Sequence, residues 1–137
     1  MIIERIAIAI LGALIVLLGG CNFSTDSTAE VDTRAVERWN YLIAHQAEKA
    51  YDYLSPGTRE TQTRETYAAA MNTRPVKWLS AKFNRKECDA DRCTVYIDVS
   101  YSVGMPGAGA TGKAVQTSST QSETWVHVKN GWFFLPK

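Results

Sequence analysis

The sequence has little that carries chemistry unaided. It holds two histidines and three cysteines. A structural zinc takes four ligands and a catalytic one three plus water, and neither His45 nor His127 has ligand spacing to the cysteines. No metal and no cofactor is expected. A Ser/His/Asp arrangement, a phosphate loop and a paired-carboxylate pattern are all missing. An excess of one charge is missing too: 15 Lys and Arg face 14 Asp and Glu, and no basic tract is longer than Arg85-Lys86, which excludes a nucleic-acid footprint. Long apolar runs are also lacking. Ile6–Leu18 is thirteen residues, apolar except for Gly12, whereas a membrane-spanning helix needs roughly 20. So short a run, after the weakly positive head Met1–Arg5 and before small residues, fits an export signal.

The end of that run carries a specific signal. Leu18-Gly19-Gly20-Cys21 resembles the lipobox of bacterial lipoproteins. The resemblance implies a diacylglycerol on the Cys21 thiol, cleavage before Cys21, and acylation of the new amino group, with palmitate among the chains. Two or more acyl chains give stable membrane anchoring, where one gives only marginal binding. Asn22 stands where inner-membrane retention favours Asp. The expected location is therefore the cell envelope, on the periplasmic face of the outer membrane rather than the inner. The expected organisation is a signal peptide over 1–20, lipidated Cys21 and a flexible tether over 21–33, and one folded domain over 34–137. The tether reading rests on the short, polar, Ser/Thr-rich run Asn22–Asp32.

Asp32 or Thr33 can cap a helix. Val36, Trp39, Ile43, Ala47, Ala50 and Leu54 then recur at gaps of three and four, which places them on one helical face. Arg34, Glu37, Arg38, Glu48, Lys49 and Asp52 fall largely on the exposed side. The spacing leaves open whether His45-Gln46 is a joint. Ser55-Pro56-Gly57 reads as the helix end. Thr63 caps a second helix over Arg64–Asn72, closed by Pro75.

The period then changes to two. Leu79, Ala81 and Phe83 alternate within Val76–Cys88. Asp89–Arg92 is a turn, and Cys93, Val95, Ile97, Val99, Tyr101 and Val103 make the clearest strand of the chain. Gly104–Gly112 is a loop. Lys113–Lys129 is a long polar strand that turns apolar at Trp125, Asn130-Gly131 is the hairpin signal, and Trp132–Leu135 is the last strand. The expected fold is α+β: two N-terminal helices packed on a curved four-stranded antiparallel meander. Trp39 and Leu54 are expected in its core against Val95, Ile97 and Val99.

Cys88 and Cys93 flank the Asp89–Arg92 turn and would lie opposite each other in a hairpin, within bonding reach. An exported protein meets an oxidising compartment, and lipidation of Cys21 leaves these two as a pair. A Cys88–Cys93 disulfide is expected.

The element order, with Arg38-Trp39 early in the first helix, Ala50–Gly57 at its end, and Glu123-Thr124-Trp125 before Asn130-Gly131-Trp132-Phe133, resembles the nuclear transport factor 2-like family, and more narrowly its small exported bacterial members. The resemblance implies a sheet wrapped around helices into a cone with a pocket at its open end. Trp39, Tyr51, Trp78, Tyr101, Trp125 and His127 are the candidate pocket residues, although large rings are also what fills a small core. The expected role is a lipid-anchored envelope domain that binds a small hydrophobic ligand or another envelope protein, without catalysis. Two alternatives stand beside it: an isomerase- or dehydratase-type enzyme using a polar residue such as His127 or Asp98, and a structural component of an envelope assembly.

Overall fold

The computed structural model describes residues 28–104, 113–129 and 131–137. Cys21 and the segment before it lie outside the described residues, as does Asn130. Among the described residues, no helix is long and apolar enough to cross a membrane.

The first helix, α1 (Ala29–Ile43), carries Glu30 and Asp32 in its first turn, where negative charge complements the helix dipole. It begins inside the stretch read as tether. Val31 is fully buried, and Lys86 of the first strand donates both to the Thr28 carbonyl and to Asp32. The buried stripe is Val31, Ala35, Arg38, Trp39 and Leu42. It is turned relative to the expected stripe, because Val36 and Ile43 are only half-buried. A stripe counted on apolar residues alone passes over Arg38, which faces inward to meet a carboxylate.

His45 is a joint. It takes φ 54°, its N–H donates to Leu42 O, and the Gln46 N–H reaches back to Tyr41 O. This is the Schellman arrangement with histidine at the left-handed position. Helix α2 (Ala47–Ala50) and a 3-10 turn (Tyr51–Tyr53) follow. Ser55-Pro56 then starts a helix rather than ending one. The Ser55 hydroxyl accepts from the Thr58 N–H at the head of α3 (Pro56–Thr61), and Pro at the first helical position has no donor to lose. Helix α4 (Arg64–Asn72) is capped by the Thr63 hydroxyl, which accepts from the Thr66 N–H.

Strands β1 (Lys77–Asp89), β2 (Arg92–Gly104), β3 (Ala114–Val128) and β4 (Gly131–Leu135) form one antiparallel sheet in the order β1-β2-β3-β4. Cys93, Val95, Ile97 and Val99 of β2 are buried at alternate positions on the helix side. Register shifts at Leu79 and Asn84 bulge β1, and bulges bend a strand. Val128 already pairs with Gly131, and Lys129 takes φ 55°. The β3–β4 turn is thus one residue nearer the N-terminus than the Asn130-Gly131 signal placed it. The free side of β4 is met by the two residues just before α3: Leu54 forms a parallel bridge to Phe134, and Ser55 N–H donates to Phe134 O at 2.8 Å.

The expectation of two N-terminal helices on a sheet closing into a nuclear transport factor 2-like cone is therefore corrected. Between Ala29 and Asn72 lie four α-helices and a 3-10 turn. Helix α1 lies along β1 and β2 and reaches β4, α4 packs on α2, and α3 buries no side chain. The physical reason is the pair of breaks at His45 and Ser55-Pro56. They cut the long periodic stretch so that only α1 runs along the sheet, and the pieces after His45 are short. Trp39 and Leu54 are buried in one core with Val95, Ile97, Val99, Trp125 and Trp132. Cys88 and Cys93 pair across the β1–β2 turn and are joined by a disulfide.

Candidate functional site

A cleft of about 320 Å³ opens where α1, α4, β1 and the β3–β4 hairpin approach one another. Its floor is charged. Glu123 of β3 has the same parity as Trp125, so its side chain points to the helices. There Glu123 Oε1 accepts from Arg38 Nη1 at 2.8 Å and from Trp39 Nε1 at 2.8 Å, and Oε2 accepts from Trp125 Nε1 at 3.0 Å. The Arg38 and Glu123 side chains are only 4% and 5% exposed. The Arg38 guanidinium lies 3.8 Å from the centroid of the Phe134 ring, and Nη2 contacts Tyr67 Oη at 3.4 Å. Arg38 Nε is buried with no hydrogen-bond partner among the described residues. A charge this deep is tolerated only when paired and hydrogen-bonded. Both Glu123 oxygens are committed, which makes the carboxylate a clamp holding two indoles and a guanidinium in one geometry.

The wall is aromatic. Trp39 and Trp78 meet edge to face at 5.6 Å. A second groove of about 190 Å³ shares Trp39, Arg74, Trp78 and Gln121 with the first and extends to Tyr101, so the two are continuous. Arg74, Gln121 and Lys137 are exposed at the mouth. Arg74 has no ion-pair partner among the described residues. The mouth therefore offers hydrogen-bond donors above an apolar wall.

The six candidate pocket residues separate. Trp39, Trp78 and Tyr101 line the continuous groove. Trp125 is fully buried and acts from behind, through Glu123. Tyr51 is behind the wall, its ring 5.8 Å from Tyr67 and its hydroxyl donating to Gln62 O at 2.7 Å. His127 is elsewhere. Its ring lies 5.1 Å from Trp132, and its backbone N–H donates to Asp91 O beside the β1–β2 turn. Asp98 is on the opposite face of the sheet, where bonds from Thr120 and then Asn84 hold its carboxyl below the usual range. His127 and Asp98 are not brought together. Among the described residues, no three His, Cys, Asp or Glu side chains cluster as a metal ion requires.

Arg38, Glu123, Tyr67, Arg74 and Phe134 are site residues that sequence reasoning does not single out. The available signal is strand parity: Glu123 is two residues from Trp125 and so shares the face that Trp125 turns to the core.

No protein-family model and no curated protein matches this sequence. Among solved structures, the chain is similar to a SEC-C motif containing protein from Rhodopseudomonas palustris, known from a solution structure. Identity is 14%, the alignment covers 74% of this chain and 71% of that one, and the TM-score is 0.53. At that identity the likeness is one of fold alone.

Proposed function

We propose that the protein is an exported binding domain, held at the periplasmic face of the outer membrane by acyl chains on Cys21. Its ligand lies in the groove over Arg38 and Glu123. The anchor is supported by the thirteen-residue apolar run and Leu18-Gly19-Gly20-Cys21. Export agrees with the Cys88–Cys93 bond, since disulfides persist in oxidising compartments.

The single observation that carries the binding reading is the engagement of Glu123. A general acid or base needs a free lone pair or proton within ~3 Å of the reacting atom. Glu123 spends three of its roughly four acceptor sites on Arg38, Trp39 and Trp125, and it is buried at the base of the groove, so it serves to position those groups. The groove presents shape, an aromatic wall and donors at its mouth, the composition of a small-molecule site. The ligand class that fits is a small molecule with a flat apolar body and a hydrogen-bond acceptor or anionic group, the body against Trp39 and Trp78 and the acceptor toward Arg74.

The test has two arms. Mass spectrometry of protein from membranes reads acylation of Cys21. Binding of a panel of one- and two-ring carboxylates to the full chain is compared with binding to Trp78→Ala and Arg74→Gln. Saturable binding weakened at least tenfold in either variant supports the reading. Turnover of a panel member that survives in both variants, or binding unchanged in both, overturns it.

A further inference from the structure

We infer that the upper half of β3 is a self-pairing edge, and that two copies of this chain join through it into one continuous sheet.

A sheet edge presents unpaired N–H and C=O groups, and natural proteins cover or blunt such edges. This sheet has three edge segments. The β4 edge is closed by Leu54 and Ser55, which bridge to Phe134. The β1 edge is blunted in two ways. It carries Lys77, Lys82, Arg85, Lys86, Glu87 and Asp89, and it is interrupted by bulges at Leu79 and Asn84. The third is neither covered nor blunted. β4 pairs with β3 only from Thr124 to Val128, whereas β2 pairs with β3 along nearly its whole length, from Ala114 to Val126. On the side of β4, Ala114–Ser122 therefore has no pairing partner among the described residues. It contains no charged residue, no proline, no glycine and no bulge.

Charge favours a second copy of this chain as the occupant. An antiparallel two-fold pair sets the residue on its axis against its own copy and every other residue against another of the same segment, so a neutral segment pairs with itself with no like charges opposed. Ala114–Ser122 is such a segment. With the axis at Ser118, Ser118 faces the partner's Ser118, Thr117 faces the partner's Ser119, and Val115 faces the partner's Gln121. Cross-strand hydroxyl pairs of this kind are favourable. Val115, 43% exposed and one of two large apolar side chains left in water among the described residues, gains a neighbour. The interface is isologous and closes at two copies, because pairing uses the same segment, Ala114–Ser122, of each. Gln121 also lies at the mouth of the aromatic groove, so pairing places the partner's Val115 beside that mouth.

Sedimentation velocity of the full mature chain in detergent micelles, at about 100 µM, tests this. The chain is expected to be dimeric. Ser118 is exposed and points away from the helices, so Ser118→Glu and Ser118→Lys leave the core untouched. Each alone sets like charges opposite one another and is expected to weaken the dimer at least tenfold, and an equimolar mixture of the two is expected to restore it. Ser118→Cys is expected to cross-link between copies on oxidation, since paired residues in antiparallel strands lie about 4.5–5.5 Å apart, within disulfide reach. A monomeric wild type, a dimer indifferent to both charge variants, or a Ser118→Cys chain that fails to cross-link would each overturn the proposal.

Discussion

Arg38 and Glu123 stand 85 residues apart in sequence and form an ion pair of 2.8 Å with both side chains almost wholly buried. The pair ties α1 to β3 at the base of the groove, and it carries the indoles of Trp39 and Trp125 with it. Removing one member of such a pair leaves an uncompensated charge in the interior, which costs about 3–5 kcal/mol. Glu123→Gln is therefore expected to lower unfolding free energy by that amount in urea titration. Adding Arg38→Met to Glu123→Gln removes the orphan charge, while Gln still offers an oxygen to an indole. The double variant is expected to be more stable than Glu123→Gln alone. A double variant less stable than the single one would mean that the pair stabilises by more than charge compensation.

The Cys88–Cys93 bond closes a short loop, with a sequence separation of 5. Chain-entropy arithmetic gives about 2 kcal/mol for a loop of this size. Cys88→Ala, which leaves Cys93 as a small buried apolar residue, is expected to cost that much without changing the fold. Thiol labelling of the folded wild type without reductant is expected to find neither cysteine. Labelling of both would contradict the bond.

His45 sits in the left-handed region with φ 54°, a conformation that costs a side-chain-bearing residue about 1–2 kcal/mol. Glycine removes that cost and returns part of it through a looser unfolded chain. His45→Gly is expected to gain about 0.5–1 kcal/mol, seen as a melting temperature raised by a few degrees. A lower melting temperature would mean that the imidazole makes a stabilising contact.

Much of the secondary structure is legible in the sequence because its signals are local. Thr63 and Pro75 bracket α4, the alternation from Cys93 onward marks β2, and the spacing of Cys88 and Cys93 about a turn predicts their bond. The misreadings also have local causes. Ser-Pro marks a helix start as well as a stop, and only the Ser55–Thr58 bond decides between them. Asn130-Gly131 is a strong turn signal, yet the pairing of Val128 with Gly131 sets the turn one residue nearer the N-terminus. The heart of the groove is hidden for a different reason. Apolar periodicity treats Arg38 and Glu123 as surface residues, and their burial makes sense only as a pair contributed by distant parts of the chain. The cone expected from the family resemblance fails at His45 and Ser55, where the helical stretch is cut.

The proposed ligand lies flat against Trp39 and Trp78 above the Arg38–Glu123 pair. The most direct test is to follow the indole N–H resonances of Trp39, Trp78, Trp125 and Trp132 during titration with 2-naphthoate. The expected result is saturable shifts at Trp39 and Trp78, a smaller shift at Trp125 relayed through Glu123, and none at Trp132, with all shifts lost in Trp78→Ala. Saturable shifts centred on Trp132, with Trp39 and Trp78 unmoved, would contradict it.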